Sequence, residues 1–177
     1  MRVAIVSDTH LPRFGLQLPR ALVEGFREAR IDRIIHAGDW TEPMAVELFE
    51  AIADLDGVAG NNDGPELHAR FGTQLVLEVD GARLGVTHGH LGTGATTRDR
   101  AIRLFADEPG LAAIVFGHSH APLVERPVGE DGTGIWIVNP GSPTDKRLQP
   151  LFTWALLTVD GGAVTDVEIR SYGDRSP

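Results

Sequence analysis

Cysteine and long apolar runs are both missing from this sequence. The absence of cysteine among 177 residues excludes disulfide bridges, thiolate metal ligands and a cysteine nucleophile. Any metal ion must therefore be bound through nitrogen and oxygen. No apolar stretch approaches the roughly 20 residues that cross a bilayer, and Asp8 ends the N-terminal apolar run too early for a signal peptide. We expect a cytoplasmic protein without membrane attachment.

Basic residues are outnumbered by acidic ones. The chain has 16 basic and 25 acidic residues, which gives a formal net charge of −9. This charge repels nucleic-acid phosphates, so general DNA or RNA binding is not expected, and an anionic substrate would need bound cations. Because 42% of the residues are hydrophobic, the chain can bury one sizeable core, and we predict a single domain over residues 1–177.

The local patterning changes along the chain. Strand and helix patterns alternate at first, with strands at 3–7, 33–36 and near Val58, and helices at 19–29 and 43–53. The remainder is mainly β, with a hairpin about Asp80-Gly81, a helix at 97–106, a buried run at 112–116 and strands at 123–128, 136–138, 152–159 and 164–169. Strand–helix units followed by hairpins predict a layered α/β protein in which two packed sheets have helices outside.

Five polar boxes follow predicted strands or lie in loops. They are Asp8-Thr9-His10, Gly38-Asp39, Gly60-Asn61-Asn62-Asp63, His88-Gly89-His90 and Gly117-His118-Ser119-His120. The boxes recur roughly every 30 residues, about the length of one strand–helix unit, so loops at one sheet edge would bring them together. Glycine precedes the polar residue in three boxes, where a side chain would hinder close packing of the backbone around a crowded centre.

Two of the boxes have the spacing of metal ligands. Asp8 and His10, and likewise His118 and His120, are two residues apart, so both side chains of a pair can turn to one side of an extended segment. Imidazole and carboxylate together favour Mn²⁺, Fe²⁺, Co²⁺, Ni²⁺ or Zn²⁺ over Ca²⁺, which prefers oxygen ligands alone. The sequence therefore predicts a metal site.

The boxes and their order resemble the calcineurin-like metallophosphoesterase superfamily, especially its small, single-domain prokaryotic phosphodiesterase branch. The match runs from Asp8 through Ser142 and includes the turn Asn139-Pro140-Gly141-Ser142. Five boxes in order, with no ligand missing, are far more specific than any one of them. The resemblance implies a four-layer α-β-β-α sandwich, in which two packed mixed β-sheets are flanked by helices.

The resemblance also implies a dinuclear metal centre. One ion would be bound by Asp8, His10 and His120, the other by Asn61, His88 and His118, with Asp39 as the bridge. We expect Mn²⁺, with Ni, Fe, Zn, Co or Mg as alternatives. Such ions lie about 3.5–4 Å apart and share a hydroxide that attacks phosphorus in line. Their positive charge would bind a phosphate ester despite the acidity of the chain.

Three further residues are predicted to act beside these ligands. Many superfamily members have histidine after the metal-binding asparagine, placed to protonate the leaving oxygen, but here that residue is Asn62. An amide has no proton to give near neutral pH, so we expect restricted or slow chemistry. His90 could line the site or hydrogen-bond a ligand. Asp63 could orient its neighbours, although stabilising the turn is an equal alternative.

Three other polar residues are not expected to bind metal directly. We expect His36 to be packed or to contact a ligand rather than to bind metal itself, and Asn139 to support the site. His68 has no box around it and is predicted to be irrelevant to the chemistry.

The predicted function is hydrolysis of small phosphate esters, most readily phosphodiesters. One alternative is a non-catalytic interaction scaffold, because the resemblance extends to a eukaryotic retromer subunit that uses this fold as a binding platform. A second alternative is a nuclease of the same superfamily. The short chain and its excess of acidic residues argue against this alternative. No pattern specifies an oligomeric state.

Overall fold

The computed structural model describes residues 1–128 and 134–177, which contain ten strands and four helices. In chain order they are β1 (Arg2–Val6), α1 (Arg20–Ala29), β2 (Arg33–His36), α2 (Pro43–Glu50), β3 (Asp54–Gly57), α3 (Pro65–Phe71), β4 (Gln74–Val79), β5 (Ala82–Thr87), α4 (Thr97–Leu104), β6 (Leu111–Val115), β7 (Leu123–Glu125), β8 (Trp136–Asn139), β9 (Phe152–Asp160) and β10 (Ala163–Tyr172). None of these helices has the length and apolar character of a membrane span.

The strands form two five-stranded sheets, both of them mixed. The first has the order β10-β9-β1-β2-β3, with β1, β2 and β3 parallel and β9 and β10 antiparallel to their neighbours. The second has the order β4-β5-β6-β8-β7, with β5, β6 and β8 parallel. The predicted hairpin about Asp80-Gly81 is the β4–β5 pair.

The residues of β1 show how the layers are specified. Alternate side chains of a strand point to opposite faces, and here both faces are covered, so the strand is apolar without interruption after Arg2. Val3 and Ile5 join the core between the two sheets. Ala4 and Val6 face the helices on the other side of the first sheet. A strand in this position therefore needs apolar side chains on both of its faces.

Helices cover the outer faces of both sheets. Leu22 and Phe26 of α1, Phe49 of α2 and Leu67 of α3 are buried in the cluster on the outside of the first sheet. Ala101 of α4 belongs to a smaller cluster on the outside of the second sheet. The layer order is therefore α-β-β-α, and the predicted fold class is confirmed.

Some element boundaries differ from the predictions. α3 was not predicted from the sequence because it has only seven residues, of which Leu67 alone is buried, so it carries no helical periodicity. β3 ends at Gly57, before the position expected for it near Val58. α2 and α4 each end a few residues earlier than expected, and β7 ends at Glu125, with Val128 in an isolated bridge to Gly134.

The topology places all the polar boxes at one edge of the molecule. Each box follows the carboxyl end of a parallel strand, namely β1, β2, β3, β5 or β6, and the Asn139 turn follows β8. The carboxyl ends of parallel strands are where open α/β sheets usually form their sites.

Candidate metal centre

Six acidic and histidine side chains meet at this edge in two clusters. Asp8, His10 and His120 form one, and Asp39, His88 and His118 form the other; within each cluster the candidate ligand atoms lie within 4.8 Å of one another. In the first, Asp8 Oδ1 is 3.2 Å from His120 Nε2. In the second, Asp39 Oδ2 is 3.2 Å from His88 Nε2.

The two clusters are continuous. His10 Nε2 of the first cluster is 3.8 Å from Asp39 Oδ2 of the second. In the opposite direction, Asp8 Oδ1 is 3.9 Å from His88 Nε2. Each carboxylate therefore reaches an imidazole of the other cluster, which is the arrangement that two neighbouring cations would need.

Two atoms at the centre are buried without a hydrogen-bond partner in the described part of the chain. They are Asp8 Oδ1 and His88 Nε2, and beside the centre His90 Nδ1 is likewise buried and unpaired. Buried polar atoms are nearly always paired, because an unpaired one costs ~1–3 kcal/mol. A carboxylate oxygen and an imidazole nitrogen with free lone pairs are suitable ligands for a divalent transition ion. The residues present thus fit such an ion.

Backbone carbonyls fix the orientation of two of the imidazoles. His88 Nδ1 lies 2.8 Å from the carbonyl of Ala37, and His120 Nδ1 lies 2.5 Å from that of Asp145. An Nδ1–H donated to a carbonyl leaves Nε2 for the centre of the site, which is the usual way a ligating histidine is held.

The charges of the centre stabilise one another. Burial raises the pKa of the Asp39 carboxyl, but the His88 imidazole 3.2 Å away, with hydrogen bonds from Asn62, more than offsets it and holds that pKa well below its usual range. Burial lowers the pKa of His88, but Asp39 and Asp8 outweigh it and raise that pKa above its ordinary value. A cation would replace the proton that this pairing favours on His88.

The backbone is unusual at five of these six residues. Asp8, His10, Asp39, His118 and His120 all have positive φ, between 48° and 68°. The left-handed region costs a residue with a Cβ roughly 1–2 kcal/mol. Strain of this kind is concentrated at functional sites, where the surrounding structure enforces it. Here it turns successive side chains of the boxes toward one point.

Comparison with known proteins identifies the family to which this site belongs. The sequence pattern of the calcineurin-like phosphoesterase superfamily domain matches residues 1–162. The chain belongs to the calcineurin-like phosphoesterase superfamily. The family predicted from the polar boxes is therefore confirmed.

Relatives in this superfamily span most of the chain. A probable metallophosphoesterase of Methanocaldococcus jannaschii is 31% identical over 160 residues, covering 90% of this chain and 77% of the relative. A phosphodiesterase of the same organism is 27% identical over 156 residues, covering 80% and 83%. Among solved structures, a point mutant of Vps29 from Entamoeba histolytica superposes with a TM-score of 0.74 at 19% identity, covering 97% of this chain and 99% of that one, which shows a shared fold.

Glycine permits the close approach of loops at this centre. A Cβ at Gly60 would collide with the Asp39 carboxylate, and one at Gly117 would collide with the Ser7 hydroxyl. The expectation that a side chain at these positions would obstruct the centre is confirmed.

His36 supports the centre from behind. Its Nδ1 accepts a hydrogen bond from Gly38 N at 3.1 Å, so Nε2–H donates to Thr9 Oγ1 at 3.0 Å. Its ring stacks on Trp40 with 3.5 Å between centroids, and burial lowers the pKa of His36 to about 3. A neutral, packed histidine that links two ligand loops matches the role expected for it.

The segment after β8 holds the first box in place. Ser142 Oγ donates to the carbonyl of Asp8 at 2.8 Å, and Thr144 Oγ1 donates to that of Thr9 at 2.6 Å. Asn139 Nδ2 donates to the carbonyl of Gly117 at 3.0 Å, as its predicted supporting role requires. Thr144 was missed because it lies 135 residues from its partner and outside any box.

The loop after β3 uses its two asparagines differently. Asn62 donates to both oxygens of Asp39, from its backbone at 2.8 Å and its side-chain Nδ2 at 2.6 Å. The side chain of Asn61 is exposed and has no hydrogen-bond partner among residues 1–128 and 134–177. The structure thus brings six of the seven predicted ligands together, and the seventh, Asn61, lies on the adjacent loop.

His90 stands at the wall of the centre. Its ring centroid is 5.3 Å from that of His88 and 6.3 Å from that of His118. Burial, followed by the charges of those two histidines, lowers the pKa of His90 to about 4. A neutral imidazole close to the centre can donate one hydrogen bond and accept another.

Asp63 joins the two loops that carry Asp39 and Asn61. Its carboxylate accepts hydrogen bonds from Asp39 N at 3.0 Å, Thr41 N at 2.7 Å and Gly60 N at 2.7 Å. Asp39 and Thr41 both have positive φ, so these bonds stabilise a strained turn. Two roles were predicted for Asp63, orienting its neighbours and stabilising the turn. The same hydrogen bonds serve both roles, because those that stabilise the turn also orient Asp39.

Replacing Asp63 with asparagine is expected to destabilise the metal-free protein by about 1–3 kcal/mol, because an amide leaves at least one of the three N–H groups without an acceptor. Urea unfolding followed by circular dichroism measures this. Asp107→Asn, at an exposed position, serves as the matched control and should change stability by less than about 0.5 kcal/mol. Equal stability of the two variants would contradict the role assigned to Asp63.

Proposed function

We propose that this chain hydrolyses small phosphodiesters at a dinuclear metal centre. Asp8, His10 and His120 would hold one ion, and Asn61, His88 and His118 would hold the other, with Asp39 available to both. The observation that carries the proposal is the pair of continuous clusters in which Asp8 Oδ1 and His88 Nε2 are buried with no hydrogen-bond partner in the described residues. When bound, two divalent ions, Mn²⁺ in our proposal, would lower the pKa of a shared water and neutralise charge on the phosphoryl oxygens.

The chain's own residues orient this chemistry. Asp39 is held by two hydrogen bonds from Asn62, and Asp63 fixes its backbone, so its carboxylate stays directed at the centre. The carbonyls of Ala37 and Asp145 fix the imidazoles of His88 and His120. Such outer contacts are worth about 10- to 100-fold in metal affinity or activity in other sites. Rigid ligands allow phosphate to be bound without rearrangement of the protein.

Protonation of the leaving oxygen limits the reaction. Hydrolysis breaks the bond from phosphorus to one ester oxygen, which must gain a proton or leave as a stable anion. Asn62 donates its amide to Asp39 and holds no proton that it can release near neutral pH. Esters of acidic alcohols such as nitrophenol are therefore the favoured substrates.

Replacing Asn62 with histidine is expected to accelerate hydrolysis of alkyl esters by at least about tenfold, because an imidazolium can protonate the departing oxygen. Nitrophenyl esters, whose leaving group departs as a stable anion, should not gain and should lose rate, because the change also removes the side-chain hydrogen bond to Asp39. The comparison requires kcat for methyl p-nitrophenyl phosphate and for a dialkyl phosphate in both proteins, at matched metal content. If kcat for the dialkyl ester does not rise selectively, the assignment of Asn62 to the leaving-group side is contradicted.

The direct test is hydrolysis by metal-stripped protein after Mn²⁺, Ni²⁺, Zn²⁺ or Mg²⁺ is added back. Bis(p-nitrophenyl) phosphate should be turned over faster than p-nitrophenyl phosphate, and the stripped protein should be inactive. If no ion restores turnover of either ester, although metal is bound, the proposal fails and the interaction-scaffold function takes its place.

A further inference from the structure

A groove opens beside the metal centre, at the start of α4. Its volume is about 370 Å³, within the range of small-molecule sites. One wall is formed by residues 95–98 with Arg100, and the other by Phe116, Ser119 and residues 121–123. Thr96 caps α4, accepting a hydrogen bond from Asp99 N at 3.1 Å, so the first wall is well ordered.

The groove adjoins two loops that carry proposed ligands. Ser119, which lines it, lies between His118 and His120 in the chain. Arg100, on the opposite wall, donates from Nε to the carbonyl of Gly89 at 2.9 Å, and Gly89 separates His88 from His90. Both walls are thus connected to loops that carry proposed ligands.

The charge of Arg100 distinguishes it from its neighbour Arg98. Arg98 is paired with Glu125 at 2.7 Å and with Asp99 at 3.6 Å. Arg100 contacts only the Gly89 carbonyl and the Thr97 hydroxyl, and within residues 1–128 and 134–177 no carboxylate forms an ion pair with it. In a chain with net charge −9, a half-buried guanidinium without an acidic partner is available to an anion.

We propose that the groove holds the ester group that stays on phosphorus after hydrolysis, and that Arg100 binds an anionic substituent on that group. The inference rests on the phosphodiesterase function proposed above. Pro122 and Leu123 provide an apolar surface for the body of the group, and guanidinium geometry suits a carboxylate or a second phosphate. The substrate class is thus a phosphodiester with a small retained group that carries a second negative charge.

A matched pair of esters tests this directly. Phenyl p-nitrophenyl phosphate and 3-carboxyphenyl p-nitrophenyl phosphate share a leaving group and differ by one carboxylate on the retained ring. With metal-loaded wild-type protein we expect a lower KM for the carboxylated ester. Arg100→Gln should raise that KM about tenfold and leave the KM of the phenyl ester little changed, since one charge-assisted contact is lost. Arg103→Gln, on the exposed side of the same helix, removes the same charge and should change neither KM.

Binding of the products separates this inference from the proposed function. Calorimetry with phenyl phosphate and 3-carboxyphenyl phosphate reports affinity without turnover, so the groove can be tested even if the protein hydrolyses neither diester. Tighter binding of the carboxylated product, lost in Arg100→Gln, supports the groove. If Arg100→Gln instead lowers kcat and affinity equally for both members of each pair, Arg100 only positions the Gly89 loop and the inference is overturned. Equal affinity of the wild type for both products also overturns it.

Discussion

Replacing Asp39 with asparagine is expected to reduce diester hydrolysis by at least about a thousandfold, because the change removes the charge that both clusters share. Asp39 Oδ2 lies 3.2 Å from His88 Nε2 and 3.8 Å from His10 Nε2, so its carboxylate faces histidines of both clusters. The measurement is kcat/KM for bis(p-nitrophenyl) phosphate at saturating Mn²⁺.

The matched control is Asp166→Asn, which changes the same atoms at an exposed position of β10. Its activity should equal that of the wild type. The Asp39 variant is expected to fold, because the isosteric amide keeps the volume of the side chain. Urea unfolding checks this. A folded Asp39→Asn protein with near wild-type turnover would rule out a role for this carboxylate in the reaction.

Removal of divalent ions is expected to abolish hydrolysis and to lower the melting temperature by about 5–10 °C relative to the protein at 100 times the dissociation constant of Mn²⁺. The physical reason is that an ion bound only by the folded state stabilises it by roughly 2.7 kcal/mol under those conditions. Bound ions would also satisfy Asp8 Oδ1 and His88 Nε2, which are buried and unpaired among the described residues. Scanning calorimetry with chelator, and again after Mn²⁺ is restored, measures both temperatures.

The same experiment on Asp39→Asn separates binding at this centre from binding elsewhere. If the centre accounts for the stabilisation, Mn²⁺ should raise the melting temperature of the variant by much less. An equal rise in both proteins would place the ions at other residues, and no rise in the wild type would mean that the centre binds no Mn²⁺.

Much of the site could be predicted because its determinants are local in sequence. Asp8, Asp39, His88 and His118 each follow a buried parallel strand within a few residues, and parallel strands end at one edge of a sheet. The order of the boxes and the apolar strands before them therefore specify which side chains meet. The family followed from the same residues and agrees with the match over 1–162.

The parts that could not be predicted depend on contacts between distant segments or on short elements. No spacing rule connects Thr144 with Thr9, and α3 buries only Leu67. The sequence also does not show whether Asn61 or Asn62 contacts Asp39. The direction of each side chain in a loop depends on the backbone conformation, which the residue order does not specify. The structure directs the Asn62 amide to Asp39, a contact that the order of residues in the box alone does not predict.

The central claim is tested most directly by titrating Mn²⁺ into metal-stripped protein while diester hydrolysis and bound metal are measured in the same samples. A dinuclear centre predicts that turnover of bis(p-nitrophenyl) phosphate rises with bound Mn²⁺ and reaches its plateau at two ions per chain. Two tightly bound ions per chain with no turnover would contradict the account.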